Sequence, residues 1–196
     1  MGNGIAHVFA AHGIPVALID VRAEALERAM AEIANNLDRQ IRKGDLDPGM
    51  REAALARIQT STELGDLASV DLVVEAATEN RELKFQIFGR LDEVARPGAV
   101  LASNTSSISI TEIAAHTDRP EQVIGMHFMN PVPVMKLVEI IRGLATSDET
   151  ARVVVETSEK LGKTVAEAED YPGFVSNRIL MPMINEAVFC LMEGVA

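Results

Sequence analysis

Short apolar runs alternate with amphipathic helical patterns along most of this 196-residue chain. In the segment 23–43, apolar residues recur every three or four positions, which predicts a long helix with one buried face. Nearly continuous apolar runs predict buried strands at positions 15–20, 70–76, 99–103, 122–128 and 135–141. Strands that alternate with helices in this way indicate an α/β fold with a doubly wound, mostly parallel sheet.

The remaining helical patterns complete this layout and indicate a second domain at the end of the chain. They predict helices at positions 1–13, 50–58, 81–94, 109–116, 147–161 and 174–192, with a short strand at 164–166. Residues 23–58 then form a helical hairpin inserted into the fold. The last helix is apolar on nearly every face and must therefore be buried, yet the chain stops at Ala196 with nothing left to bury it. We predict one domain over residues 1–170 and the first helix of an α-helical domain over residues 171–196.

Composition narrows the classes of partner and compartment. The hydrophobic fraction is 47% and the aromatic fraction only 4%, so the core must be aliphatic. A net charge of -11 argues against binding to nucleic acid or to an acidic membrane. The single cysteine, Cys190, excludes an intramolecular disulfide and a multi-cysteine metal site, and it fits a reducing compartment. No run reaches the ~18 apolar residues of a membrane span, so we expect a soluble, cytoplasmic protein without a metal.

The first twenty residues carry half of a nucleotide-binding fingerprint. Glycines open the first predicted helix, and Asp20 ends the first predicted strand 18 residues after Gly2. In a dinucleotide-binding βαβ unit, an acid at about that distance from the glycine loop binds the ribose hydroxyls. The strand and the two glycines that should come first are absent. Gly2 is therefore either the third glycine of a Rossmann-like motif, with the chain truncated inside that motif, or the start of an ordinary helix.

Two ionisable residues stand out in the strands at 122–128 and 135–141. His127 comes at the end of the first strand, and Glu139 interrupts the apolar run of the second. A buried carboxylate is costly unless it is paired, and His127 is its nearest candidate partner. Taken singly, a histidine at a strand end is most often structural, and a glutamate in a strand most often faces water. Together, on consecutive strands joined by a turn at Asn130–Pro131, they also fit a catalytic pair.

Further polar residues follow the other predicted strands. Glu79 comes after the strand at 70–76, and the polar run at 104–107 comes after the strand at 99–103. Ligands of doubly wound sheets bind beyond the carboxyl ends of the strands. Asp20, these residues and His127 would meet at that edge, which indicates a ligand site there. Basic residues near the tip of the helical hairpin, including Lys43, form either a solvated face or a phosphate contact.

These features resemble the L-3-hydroxyacyl-CoA dehydrogenase family, particularly its 3-hydroxybutyryl-CoA dehydrogenases. The matching stretches run from end to end of the chain: Met1-Gly-Asn-Gly-Ile-Ala, Asp20, Val74-Glu-Ala-Ala-Thr-Glu-Asn80, Ala102-Ser-Asn-Thr-Ser-Ser107, residues 127–139, and Tyr171-Pro-Gly-Phe-Val-Ser-Asn-Arg178. The resemblance implies NAD-dependent oxidation of a short-chain L-3-hydroxyacyl-CoA to the 3-ketoacyl-CoA, or the reverse, as in fatty acid β-oxidation. It also implies that the chain is truncated at both ends.

The resemblance assigns roles to the residues already singled out. His127 would be the general base that takes the proton of the substrate 3-hydroxyl, and Glu139 would orient it and stabilise its protonated form. Ser106 and Asn177 would hydrogen-bond the substrate oxygens.

The resemblance also implies a set of binding residues. The cofactor would contact Gly2, Asp20, Glu79, Lys84 and Ser106, with Asp20 on the adenosine ribose. Because the carboxylate of Asp20 would repel a 2'-phosphate, NAD is preferred over NADP. Asn36 and Lys43 would lie near coenzyme A, and the carboxyl-terminal helical domain would form a homodimer. Two alternatives stay open: a catalytically silent structural or binding relative, and a dehydrogenase of a free hydroxyacid that needs no coenzyme A.

Overall fold

The structure is a computed structural model that describes residues 1–196. The helices are α1 (Gly2–Ala11), α2 (Ala23–Lys43), α3 (Met50–Ala56), α4 (Arg81–Val94), α5 (Ile110–Ala114), α6 (Asp148–Lys160) and α7 (Ser176–Met192). The strands are β1 (Val16–Ile19), β2 (Ile58–Ser61), β3 (Leu72–Glu75), β4 (Val100–Ser103), β5 (Val123–Phe128), β6 (Leu137–Arg142) and β7 (Thr164–Glu169). The alternation of strands and helices confirms the predicted α/β class.

The strands form two sheets. Strands β3 to β7 lie side by side in chain order, and all neighbours are parallel except β5 and β6, which are antiparallel. Strands β1 and β2 pair in parallel as a separate two-stranded sheet. The prediction that β1 is fully buried is wrong, because its residues are only half-buried. With a strand neighbour on one side alone, β1 keeps part of its surface open to solvent.

Helices cover both faces of the larger sheet, which is what the doubly wound pattern predicts. On one face, α1 and α6 pack on the sheet through buried residues such as Val8, Val154 and Ile140. On the other face, α4 and α5 pack on it through Phe88 and Ile113. A third cluster joins α1 to the hairpin of α2 and α3. Because β3, β4 and β5 are parallel, their carboxyl ends lie at the same edge of the larger sheet. Packing of the three clusters holds them there.

One prediction about elements is wrong. Ile58 was predicted to end a helix, but residues 58–61 form strand β2, because Ile58 pairs with Val16 of β1. Helix α7 contains no buried residue, in agreement with the prediction that the chain has nothing to bury it. Apolar side chains such as Ile184 and Phe189 are exposed, since no other element of the 196 residues covers them. No helix is both long enough and apolar enough to cross a membrane.

Candidate active site

The antiparallel register of β5 and β6 places His127 directly opposite Glu139. The distance between His127 Nδ1 and Glu139 Oε2 is 2.8 Å. Both residues are buried, with 8% of His127 and 0% of Glu139 exposed. The contact expected from the two interrupted apolar runs is therefore present, and it follows from strand pairing.

The environment of this pair fixes which nitrogen of His127 is available for chemistry. Because the carboxylate of Glu139 accepts a hydrogen bond, Nδ1 carries a proton and donates it. The Nε2 atom has no hydrogen-bond partner in the protein and is not enclosed, so it can meet a ligand. This arrangement of an oriented imidazole with one open nitrogen suits a general base.

Glu139 is held as a carboxylate by several donors. Its Oε1 accepts hydrogen bonds from the backbone N–H groups of Val175 and Ser176, at 3.1 and 2.7 Å. Burial raises the pKa of Glu139, but the hydrogen bonds from Ser176 and His127 outweigh it, so the pKa lies below its ordinary value. The start of α7 therefore keeps the acid of the pair ionised.

The loop after β4 is anchored to the loop after β3 by one carboxylate. Glu79 Oε1 accepts hydrogen bonds from the Thr105 hydroxyl and from the backbone N–H groups of Ser106 and Ser107, the latter two at 3.1 and 3.2 Å. Burial raises the pKa of Glu79, but these hydrogen bonds outweigh it and the pKa is lowered. Glu79 therefore fixes the backbone around Ser106.

Two amide side chains join this loop to the histidine pair. Asn104 Oδ1 accepts a hydrogen bond of 2.8 Å from the backbone N–H of Phe128, the residue after His127. Asn177 Nδ2 donates to the backbone oxygen of Ser106 across 3.4 Å. The predicted residues His127, Ser106 and Asn177 thus meet where the strand ends come together. The Asn104 contact had no separate signal in the sequence beyond the polar run that contains it.

Lys84, which the resemblance places along the cofactor, is buried and paired with carboxylates. Only 1% of Lys84 is exposed, and its Nζ donates to both carboxylate oxygens of Glu75, at 2.8 and 2.9 Å. Lys84 Nζ also lies 3.7 Å from Glu79 Oε2, so Lys84 supports the loop that carries Glu79, and its contact with the cofactor stays a prediction. Sequence reasoning missed Glu75, although it interrupts an apolar strand just as Glu139 does.

The start of α1 and the end of β1 have features that fit a dinucleotide. A Cβ at Gly2 would lie 3.8 Å from the Cβ of Ala76, so α1 begins beside the end of β3. The backbone N–H groups of Gly2 and Asn3, in the first turn of α1, make no hydrogen bond and could donate to an anionic ligand group. Asp20 follows β1 and is partly exposed, and its Oδ1 accepts a hydrogen bond from the backbone N–H of Arg22. No hydrogen bond joins Asp20 to the histidine pair.

The two residues predicted to lie near coenzyme A are on α2, away from these contacts. Asn36 is half-buried and Lys43 is exposed in the last turn of the helix. Neither is joined to the histidine pair or to the loop at 103–107 by a hydrogen bond or an ion pair. The assignment of both residues to coenzyme A stays a prediction.

Comparison with known proteins places this site in a family. Residues 1–171 match the sequence model of the family described as 3-hydroxyacyl-CoA dehydrogenase, NAD binding domain. The chain is 55% identical over 196 residues to a probable 3-hydroxybutyryl-CoA dehydrogenase of Deinococcus radiodurans, covering 100% of this chain and 70% of that protein. It is 55% identical over 195 residues to the 3-hydroxybutyryl-CoA dehydrogenase of Bradyrhizobium diazoefficiens, covering 100% of this chain and 67% of the relative.

A solved structure agrees with the sequence relatives. The crystal structure of (S)-3-hydroxybutyryl-CoA dehydrogenase from Ralstonia eutropha superposes with a TM-score of 0.97 at 50% identity, covering 100% of this chain and 69% of the other. The match therefore includes the strand ends that carry the histidine pair, as well as the outline of the fold. The chain belongs to the 3-hydroxyacyl-CoA dehydrogenase family and carries the NAD-binding domain of that family.

Proposed function

We propose that the chain carries the active site of an NAD-dependent dehydrogenase of short-chain L-3-hydroxyacyl-CoA, with 3-hydroxybutyryl-CoA as the model substrate. The observation that carries this proposal is the 2.8 Å contact between His127 Nδ1 and Glu139, which leaves Nε2 open at the ends of the strands. Family membership and the names of the relatives support the substrate class.

In this mechanism His127 Nε2 accepts the proton of the substrate 3-hydroxyl. The carboxylate of Glu139 holds the imidazole in place and stabilises the positive charge that the ring then carries. Ser106 and Asn177 hydrogen-bond the substrate oxygens and orient the hydroxyl toward Nε2. Bound NAD supplies the hydride acceptor. In the reverse direction, protonated His127 returns the proton to the oxygen of the 3-keto group.

The cofactor would be held by residues around the start of α1. Gly2 permits close approach of the cofactor to the helix start, and Asp20 would accept hydrogen bonds from the adenosine ribose hydroxyls. Glu79 and Ser106 would line the part of the cofactor nearest the substrate. Because the carboxylate of Asp20 repels a 2'-phosphate, it favours NAD over NADP.

The base assignment is tested by His127→Gln, which keeps a polar side chain but removes the proton acceptor. We expect kcat for NADH oxidation with acetoacetyl-CoA to fall by about two to four orders of magnitude, with KM little changed. The control is His116→Gln, the same change at an exposed histidine on the surface. NADH binding measured by fluorescence separates lost chemistry from lost cofactor binding. Near-normal turnover by the His127→Gln variant would reject the assignment.

The two alternatives give different results in the same assay. A silent structural relative predicts no loss of NADH in the unmodified protein, even when NADH binds. A dehydrogenase of a free hydroxyacid predicts that acetoacetate is reduced as well as acetoacetyl-CoA. We expect turnover with acetoacetyl-CoA and far less with acetoacetate, because the coenzyme A part supplies binding energy through residues that include Asn36 and Lys43.

The proposed function also includes the oligomeric state of the protein and its cellular compartment. We expect a cytoplasmic homodimer whose helical domain begins at residue 171, where the match to the NAD-binding domain ends. The exposed apolar surface of α7 supports association through this part of the chain. The single unpaired cysteine, Cys190, fits a reducing compartment. The net charge of -11 argues against nucleic acid and acidic membranes as partners.

A further inference from the structure

The turn that joins β7 to α7 contains a residue in an unusual conformation. Phe174 has a φ of 48°, and it is the only residue other than glycine with a positive φ. Bulky side chains rarely adopt this left-handed conformation, and they keep it only where their surroundings enforce it. Gly173, immediately before it, has a φ of 82°. The chain therefore makes a tight left-handed turn before α7 begins.

The surroundings that enforce this conformation include the proposed base. The Phe174 side chain is 4% exposed and packs in the cluster formed by the sheet with α4 and α5. Its ring meets the imidazole of His127 edge to face, with centroids 6.0 Å apart and an interplanar angle of 61°. The backbone N–H of Phe174 donates to Tyr171 O at 2.9 Å, which closes the turn. Phe174 thus links the turn to the base.

The conformation of Phe174 also determines where the next two peptide groups point. The dihedral angles of residue 174 set the direction of the Val175 N–H, and the Ser176 N–H follows it into the first turn of α7. Both groups donate to Glu139 Oε1. An extended or right-handed helical conformation at residue 174 would turn the Val175 N–H away from this oxygen. The acid of the pair therefore depends on the left-handed turn.

We propose that Phe174 is a positioning residue for the catalytic pair. Its backbone aims the Val175 and Ser176 N–H groups at Glu139, and its ring covers one side of the His127 imidazole. The hydrogen bond between His127 Nδ1 and Glu139 is thereby shielded from water, while Nε2 stays open. The contacts of Phe174 and the following N–H groups with the pair are observed in the geometry, whereas their effect on the reaction rate rests on the proposed function.

The shielding is tested by NMR on the full chain, independently of activity. A proton shared between imidazole and carboxylate resonates far downfield and is observed only when exchange with water is slow. The chain has four histidines, and the His127→Gln variant identifies the signal of His127. We compare Phe174→Ala and the milder Phe174→Leu with Phe88→Ala and Phe88→Leu. Phe88 is fully buried in the same cluster but lies on α4, with no ring contact to His127.

We expect both Phe174 variants to broaden or lose the downfield signal, and both Phe88 variants to keep it. With acetoacetyl-CoA, kcat should fall by about 10- to 100-fold in Phe174→Ala, with little change in KM for NADH. The reason is that the His127 imidazole loses its orientation and becomes accessible to water. Phe174→Leu, which keeps more of the apolar volume, should recover part of this loss. A downfield signal as sharp in Phe174→Leu as in the unmodified protein would overturn the proposal. Absence of turnover in the unmodified protein would reject the proposed function, and the NMR comparison would still decide the role of Phe174.

Discussion

His7 on α1 is a buried histidine outside the active site, with one ring nitrogen unsatisfied. Its Nε2 lies 2.9 Å from Gln40 Oε1 on α2, whereas its Nδ1 is buried without any partner. Burial lowers the pKa of His7, the Gln40 hydrogen bond raises it, and the charges of His12 and Lys163 lower it, so the pKa lies below 6.5. Protonation of Nδ1 would create a second buried N–H group that has no hydrogen-bond acceptor. The folded protein therefore favours the neutral ring.

This environment makes stability depend on pH. The unfolded chain takes up a proton at His7 near pH 6.5, whereas the folded protein does so only at a lower pH. The contribution of His7 to stability is therefore complete above about pH 6.5 and is lost as the pH falls below that value, at up to about 1.4 kcal/mol per pH unit. In urea unfolding between pH 5 and 8, His7→Leu should flatten the decline in the free energy of unfolding. His116→Leu, at an exposed site, should leave it unchanged. An equal decline in His7→Leu would show that other groups cause it.

The sequence predicts some buried ionisable residues and misses others, for a physical reason. The sequence predicts that His127 and Glu139 pair because each interrupts an apolar run, and because a short connection indicates that the two strands are neighbours. Glu75 gives the same signal, but its partner Lys84 lies on a helix, and pairing depends on how α4 packs against β3. The left-handed turn at Phe174 gives no signal at all, because aromatic residues rarely adopt that conformation.

Strands β5 and β6 approach closely because one residue between them has no side chain. Gly125 of β5 is paired in register with Ile141 of β6. A Cβ at Gly125 would lie 2.8 Å from Ile141 Cβ and 3.1 Å from Ile110 Cδ1. The first distance is too short for any real contact, so an added methyl group must displace a strand or α5. These are the strands that carry the catalytic pair, so the glycine also keeps that pair in place.

Gly125→Ala should therefore destabilise the protein by about 1–3 kcal/mol through overpacking. The matched control is Gly65→Ala, at a position with nothing within 4 Å of the added Cβ and no positive φ. Urea unfolding followed by circular dichroism measures both variants. We expect the midpoint to fall clearly for Gly125→Ala and to change little for Gly65→Ala. Equal midpoints for the two variants would mean that β5 and β6 can separate without cost.

Element boundaries are predictable where local signals decide them. The predicted ranges of α2 and α4 agree with the structure. Helix α2 ends at Gly44 in the left-handed conformation, and Asn80 caps α4 by accepting from the Leu83 N–H. Strand β2 was missed because its four residues are a strand only through pairing with β1. Tertiary contacts of this kind override a local pattern.

At the scale of the whole molecule, α7 presents an apolar surface that the rest of the chain does not cover. Its exposed residues include Ile184, Phe189, Leu191 and Met192. Contiguous apolar surface on a helix commonly marks an interface. The sequence predicts this apolar surface and the lack of anything in the chain to bury it, but the apolar pattern does not specify what covers it.

Association through α7 is tested by charge substitution. We expect the unmodified chain to associate with rising concentration in sedimentation velocity, because the exposed apolar surface of α7 is then removed from water. Leu191→Glu should shift the population toward monomer by placing a carboxylate in that interface. The control is Leu144→Glu, since Leu144 is also exposed but lies in the turn after β6. Monomer at every concentration for all three proteins would exclude α7 as a site of self-association.

Strand β1 pairs only with β2 and not with β3, and this affects how fast its backbone amides exchange with deuterium. The Val16 N–H donates to Arg57 O, just before β2, and the Asp20 N–H donates to Ser61 O of β2. The alternation of a parallel ladder therefore turns the N–H groups of Ala17 and Ile19 to the side of β1 that has no partner strand. We expect these two amides to exchange with deuterium much faster than those of β5, which has a strand on each side. Opening of the native protein would then begin at the small sheet, and the strands that hold His127 would be among the last to exchange.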